Sequence, residues 1–196
     1  MFILGYGDDI LRKINEETRQ LILKSAREIL ATEGVEKLNM RRVAISCDIG
    51  LGTIYNYYKS KEEIIKEVVH SQYISIFERL KLDISKENDT YGKLKKVFEA
   101  MRSFYLELQS ISIDKIFSLI SKVNDDDKEK IQREGCEKRQ ALKGLFIEIL
   151  EDKDDFYIES IMMLFAMHAS NVNVKYSDLE KFIKDIIESR KCRIGG

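Results

Sequence analysis

The sequence predicts an all-helical protein, with a small N-terminal domain followed by a larger helical domain. The 196 residues contain no proline and only ten glycines, so the residues that interrupt helices are nearly absent. Apolar residues recur every three or four positions along most of the chain, which is the spacing of one helix face. Together these two observations predict about nine helices.

The first four helices are predicted from their caps and apolar stripes. Gly34 suits the position after the first helix, and Asn39 is a good N-cap for the second. A turn at residues 48–50 separates the second helix from the third, and Ser60 with Glu63 has the spacing of a capping box for the fourth. The predicted bounds are 18–33, 40–47, 51–58 and 60–81.

Five more helices are predicted after a polar loop at residues 83–92. Aspartates at 125–127 suit the start of one helix, and Ser177 with Glu180 has capping-box spacing for the last. The helix containing residues 161–169 is apolar nearly all the way round, so it needs partners on every side. The same chain can supply those partners, but we favour a second copy. The predicted bounds are 91–109, 112–123, 127–150, 154–172 and 178–190.

Composition and cysteine usage exclude several classes of protein. No apolar run approaches the roughly 18 residues of a membrane span, and residues 1–9 lack the basic segment of a secretory signal. We therefore expect a cytoplasmic protein with no membrane partner. Cys47, Cys136 and Cys192 lie far apart, and with only two histidines they form no metal-ligand spacing. We expect no metal and no cofactor.

Residues 39–63 have the layout of a helix-turn-helix, two short helices joined by a three-residue turn. The second helix of such a motif enters the major groove of DNA. Net charge supports this interpretation, because residues 18–61 contain eight Lys and Arg residues against four acids, although the whole chain has a net charge of −1. A locally basic module on a near-neutral protein suits phosphate contact. The alternative is an ordinary solvated surface.

Several residues of this motif are candidate DNA contacts. Arginines in the first turn of the second helix and tyrosines of the third can reach phosphate, and the lysines that follow suit the sugar-phosphate wall. Gly52 allows close approach of the backbone, and Asn56 can read adenine. Tyr58 is expected to pack in the core instead. The candidates are Asn39, Arg41, Arg42, Gly52, Thr53, Tyr55, Asn56, Tyr57, Lys59 and Lys61.

The same stretch resembles the N-terminal DNA-binding domain of the TetR family of bacterial transcriptional repressors. The resemblance depends on Thr18-Arg19, Ile22-Leu23, Ala26, Gly34, Val43-Ala44, the run Gly52 to Tyr58, and Lys61-Glu62. Asp48 departs from the family's usual turn glycine, Gly50 from its usual serine N-cap, and Leu51 from its frequent polar residue. Asp tolerates a left-handed backbone and Gly is a passable N-cap, while Leu51 can touch a thymine methyl group.

The resemblance implies a homodimeric, ligand-responsive repressor that binds palindromic operator DNA and is released by a small-molecule effector. The implied domains are an arm at 1–17, a helix-turn-helix domain at 18–63, and an effector-binding and dimerisation domain at 64–196. Dimerisation is expected through the helices at 154–172 and 178–190. An enzyme is not expected, and a redox sensor that uses Cys136 or Cys192 is the alternative. The candidate pocket residues are Phe98, Met101, Phe104, Tyr105, Phe117, Phe146, Met163 and Met167.

Overall fold

The computed structural model describes residues 4–110 and 125–194 of the chain. Within these ranges it contains helices and no strand, which confirms the all-helical prediction. The predicted helix at 112–123, with Phe117, lies outside the described residues. The helices are α1 (Leu4–Glu33), α2 (Met40–Ser46), α3 (Leu51–Tyr57), α4 (Lys61–Ser85), α5 (Thr90–Ser110), α6 (Asp125–Leu150), α7 (Asp155–Ala169) and α8 (Tyr176–Ile194).

Helix α1 is longer than its predicted counterpart. It begins at Leu4, so residues 4–17 continue the first helix, whose predicted start at residue 18 was too late. In the sequence, Ile10, Leu11 and Ile14 recur at helical spacing, which is the pattern that could have predicted the longer helix. The helix ends as predicted at Gly34, whose φ of 84° only glycine adopts without strain.

Two other boundaries differ from the prediction. Helix α4 continues to Ser85 because Ile84, buried like Leu80 one turn earlier, extends the apolar stripe. Helix α8 begins at Tyr176, since the carboxylate of Asp178 accepts a hydrogen bond from the Lys175 N–H at 2.7 Å. The predicted capping box of Ser177 with Glu180 was therefore wrong.

The chain divides into two compact units. Of the described residues, the first contains α1–α3, α4 up to Gln72 and residues 108–110, and the second contains residues 73–107 and 125–194. The units divide after Gln72, whereas the predicted domain boundary is at residue 63. The difference arises because Ile64, Ile65 and Val68 of α4 are buried in the first core. Burial of these side chains fixes the start of α4 to the helix-turn-helix.

The core of the second unit is built around aromatic rings. Phe165 of α7 lies edge-on to Phe98 of α5, with ring centroids 5.9 Å apart, and to Phe146 of α6 at 5.2 Å. Tyr176 packs on the same cluster, and burial raises the pKa of its phenol to about 12. Each edge-on aromatic pair contributes about 0.5–1.5 kcal/mol beyond simple burial.

Candidate nucleic-acid interface

The turn between α2 and α3 gives the first unit its helix-turn-helix geometry. Asp48 has a φ of 54°, in the left-handed region. Its N–H donates to the Ile45 carbonyl at 3.2 Å, and the Ile49 N–H donates to the Ala44 carbonyl at 3.1 Å. These two bonds form a Schellman turn, which satisfies the last carbonyls of α2. Asp thus occupies the conformation that a glycine adopts at lower cost.

Helix α2 begins with a cap and two exposed arginines. The Asn39 side chain accepts a hydrogen bond from the Arg42 N–H at 2.9 Å, so Asn39 is the predicted N-cap. The Arg42 guanidinium forms an ion pair with Glu33 of α1, whereas Arg41 is exposed at the start of the helix. Phosphate contact by Arg42 would therefore compete with an existing ion pair.

Helix α3 buries one side chain and exposes most of the others. Ile54 is fully buried in the first core, while Leu51 and Tyr55 are 40% and 45% exposed. Gly52 and Asn56 are exposed too, and Thr53 and Tyr57 are half-buried. A Cβ atom added at Gly52 would have no neighbour within 4 Å. Packing of the protein therefore does not require a glycine at this position.

The residues after α3 divide between the core and the surface. Tyr58 is buried, as predicted, and this burial raises the pKa of its phenol. The Lys59 ammonium lies 3.3 Å from the Tyr55 carbonyl oxygen, and Lys61 is half-buried at the start of α4. Glu63 accepts from the Lys59 N–H at 2.6 Å and donates its own N–H to Ser60 Oγ at 3.3 Å. The capping-box spacing thus marks the start of α4.

Three features of this unit were missed from the sequence. Ile45 is 72% exposed. It lies one turn after Arg41 and so on the same polar face of α2, which is the pattern that could have predicted its exposure. The Tyr57 hydroxyl donates to Asn15 Oδ1 at 3.2 Å, which required the extended α1. Arg19 of α1 forms an ion pair with Glu67 of α4, and no local pattern reports a pair so distant in sequence.

The predicted pocket residues separate into three groups. Phe98 and Phe146 are buried in the aromatic core of the second unit, and Met101, Phe104 and Tyr105 are half-buried. Met163 and Met167 are 74% and 58% exposed. These two methionines therefore lie on the surface of α7, apart from the buried aromatic core of the second unit. Because α7 is apolar nearly all the way round, its sequence does not indicate which face is exposed.

Two members of the half-buried group, Phe104 and Tyr105, belong to a half-buried cluster of aromatic rings. Tyr73 stacks on Phe77 with ring centroids 5.6 Å apart, and Phe104 lies edge-on to Tyr73 at 5.9 Å. The Lys138 ammonium stands 5.2 Å from the centre of the Tyr73 ring, and the Tyr73 hydroxyl donates to the Lys138 carbonyl at 3.1 Å. Burial raises the pKa of the Tyr73 and Tyr105 phenols. We call Tyr73, Phe77, Phe104 and Tyr105 the aromatic cluster.

The outer face of α7 is apolar and exposed. Phe156, Met163 and Met167 have the spacing of one helix face, and all three are more than half exposed, as is Phe182 of α8. The inner face of α7 is covered by its own chain, where Ile158, Ile161, Met162, Phe165 and Ala169 are buried. Exposed apolar surface of this kind is typical of an interaction site. We call Phe156, Met163, Met167 and Phe182 the outer apolar face.

The three cysteines have different environments. Cys47 is buried and its Sγ lies 3.7 Å from the Leu21 carbonyl oxygen, and burial raises the pKa of the thiol. Cys136 and Cys192 are exposed and free. In the portions of the chain that the structure describes, no group of three or more metal-ligating side chains lies together. Among the same residues, no helix is both long and apolar enough to span a membrane.

Solved structures of regulators share this fold. A transcriptional regulator from Cytophaga hutchinsonii superimposes with a TM-score of 0.62 over 87% of this chain and 94% of its own, at 16% identity. A regulator of the TetR/AcrR family from Thermobifida fusca gives 0.60 over 88% and 96%, at 14% identity. FadR from Bacillus subtilis, solved in complex with stearoyl-CoA, gives 0.57 over 87% and 96%, at 20% identity. At these identities the likeness shows the fold.

Sequence comparison identifies the N-terminal unit. An HTH-type transcriptional regulator of Staphylococcus aureus strain USA300 is 34% identical over 76 residues, which are 37% of this chain and 41% of that protein. The chain thus spans about two fifths of the length of the curated relatives that it matches. Residues 22–68 match the family model of bacterial regulatory proteins of the tetR family, which confirms the resemblance predicted above. Residues 22–68 of the chain therefore form an N-terminal domain of the kind found in the tetR family of bacterial regulatory proteins.

Proposed function

We propose that the protein is a ligand-responsive transcriptional repressor that binds palindromic operator DNA as a homodimer. The observation that carries the proposal is the exposed face of α3, where Leu51, Gly52, Tyr55 and Asn56 are accessible beside the exposed Arg41 of α2. A buried Ile54 holds this helix to the core, so its outward side chains are presented from a fixed scaffold. In a helix-turn-helix this is the face that enters the major groove.

Phosphate contacts are assigned to residues around this face. The Tyr55 and Tyr57 hydroxyls, Arg41, Lys59 and Lys61 can all donate to phosphate oxygens, and such contacts set the register on the duplex without reading sequence. Tyr57 would exchange its bond to Asn15 for one to phosphate. Thr53 and the capped start of α2 at Asn39 lie at the edge of the same face. Arg42 contributes to DNA binding only if its pair with Glu33 opens.

The outer apolar face supports the homodimer. Two copies of α7 and α8 would each cover the other's Phe156, Met163, Met167 and Phe182, and a two-fold arrangement would present two α3 helices to two half-sites. A groove between α7 and α8 is lined by Tyr157, Ile186 and Arg190 as well as Phe156 and Phe182, which gives the face a shape that can interlock. A stable dimer needs about 800 Å² buried on each partner.

The aromatic cluster is the proposed effector site. Its rings are half-buried, and an adaptable apolar surface with a few polar groups suits a small hydrophobic ligand. Met101 of α5 is half-buried in the same unit and is the remaining candidate from the predicted set. The Bacillus subtilis regulator of the same fold was solved with stearoyl-CoA, so long-chain acyl-CoA is a reasonable first probe. An effector that prefers the conformation unable to bind DNA by a few kcal/mol would empty the operator.

Three alanine variants test the DNA-binding proposal. Tyr57→Ala and Lys61→Ala should weaken binding similarly on all sequences and flatten the salt dependence, because each removes a phosphate contact. Asn56→Ala should instead relax base preference at one position in each half-site. Binding curves of the three variants on operator and random DNA distinguish these patterns. If all three bind like the wild-type protein, the interface is elsewhere.

A further inference from the structure

The side chains that α3 can offer to a base pair carry no charge. The helix is only seven residues long, and its most exposed residues are Leu51, Gly52, Tyr55 and Asn56. We call these four residues the reading face. Leu51 and Tyr55 are one turn apart, so they form an apolar ridge, and Gly52 and Asn56 form a second row beside it.

This composition excludes the common ways of reading a G·C pair. Guanine is usually read by Arg or Lys on its O6 and N7 atoms, and cytosine by Asp or Glu on its amino group. No residue from Leu51 to Tyr57 has such a side chain. The nearby Lys59 ammonium lies against the Tyr55 carbonyl, and Arg42 is paired with Glu33. Arg41 lies in the first turn of α2 and not on α3.

The same residues do suit A·T pairs. Thymine is the base with a methyl group in the major groove, and apolar side chains contact that methyl group, while Asn forms two hydrogen bonds with adenine. At Gly52 the helix wall is bare backbone with open space around it, which lets the base edges approach the ridge. We propose that α3 reads a block of A·T pairs in each half-site, with Leu51 on thymine methyl groups and Asn56 on adenine. This inference rests on the proposed function.

The test begins with selection of duplexes from a randomised library by the full-length protein. The selected half-sites should share an A·T block at the positions that lose preference in Asn56→Ala. Each thymine of the block is then replaced by deoxyuridine, which removes only the methyl group. At the position that Leu51 contacts, affinity should fall about fourfold per methyl group. Replacing the adenine by 7-deazaadenine removes its N7 acceptor and should cost about tenfold or more.

Matched variants assign each loss to a side chain. The Leu51→Ala protein should be indifferent to deoxyuridine at the sensitive position, and Asn56→Ala should be indifferent to 7-deazaadenine, because each contact is already absent. Base analogues need no protein variant, so the result does not depend on whether Leu51→Ala folds. Selected G·C pairs at these positions, or unchanged affinity with every thymine replaced, would overturn the inference but leave the repressor intact. Failure to select any sequence would overturn the proposed function itself.

Discussion

Replacing Gly52 with alanine should separate the stability of the fold from its DNA binding. The added methyl group meets no protein atom within 4 Å, and φ at Gly52 is not in the left-handed region. Since alanine restricts the unfolded chain more than glycine does, the variant should gain about 0.4–1 kcal/mol in free energy of unfolding. Thermal unfolding should show a rise of up to about 2–4 °C.

DNA binding should change in the opposite direction. The methyl group projects from the reading face, and an extra methyl group in a close-packed contact costs about 1–3 kcal/mol. Two copies of α3 would engage one operator, so the dimer should lose about 2–6 kcal/mol, which is at least about thirtyfold in affinity. The salt dependence should stay the same because no phosphate contact is removed. Anisotropy titrations on a selected operator measure both quantities.

Gly144 provides the matched control for this experiment. It is exposed inside α6, six residues before the helix ends, and a Cβ atom there also meets nothing within 4 Å. Gly144→Ala should therefore gain helix stability and bind DNA like the wild-type protein. If Gly52→Ala also binds like wild type while gaining stability, the backbone of α3 does not approach DNA closely, and the proposed interface is wrong.

Four further predictions follow from individual contacts. Asp48→Gly should raise the free energy of unfolding by about 1 kcal/mol, since a left-handed aspartate is strained, as denaturation of the isolated variant would show. The Arg190 guanidinium lowers the pKa of Asp152 in the folded protein, so the free energy of unfolding decreases as pH falls below about 3.9, where the unfolded chain takes up the proton first. Arg190→Gln removes this effect. Melting temperatures measured across acid pH should therefore fall less steeply in the variant. Met163→Glu should convert a dimer to monomers in sedimentation, because it places a charge in the outer apolar face. The double variant Cys136→Ser with Cys192→Ser should bind operator DNA like the wild-type protein, with and without peroxide. If peroxide releases the wild-type protein from DNA but not the double variant, the redox alternative is favoured.

Local signals made the helix-turn-helix predictable. Asn39, the turn at Asp48 and the Ser60–Glu63 box each act within four residues, so their spacing alone reports the start or end of a helix. The buried stripe of α1 and the burial of Tyr58 also followed from periodicity and from the family resemblance. The capping-box spacing of Ser177 with Glu180 predicted the wrong start for α8, because the Asp178 carboxylate accepts the hydrogen bond from the Lys175 N–H at the start of this helix.

The parts that could not be predicted depend on contacts distant in sequence. Tyr57 meets Asn15 and Arg19 meets Glu67 only because α1, α3 and α4 pack together. The outward orientation of Met163 and Met167 depends on which face of α7 the aromatic core covers, and a helix apolar all round does not encode that choice. The predicted pocket residues therefore include buried, half-buried and exposed side chains.

The most direct test of the account is binding of the purified protein to the DNA upstream of its own gene. Fluorescence anisotropy across a salt series, with random DNA of equal length as the reference, measures affinity, specificity and phosphate contacts together. We predict tight, salt-sensitive binding of two protomers per site, with a clear preference over random DNA. Equal affinity for that DNA, for a library-selected site and for random DNA would contradict the claim that α3 reads an operator.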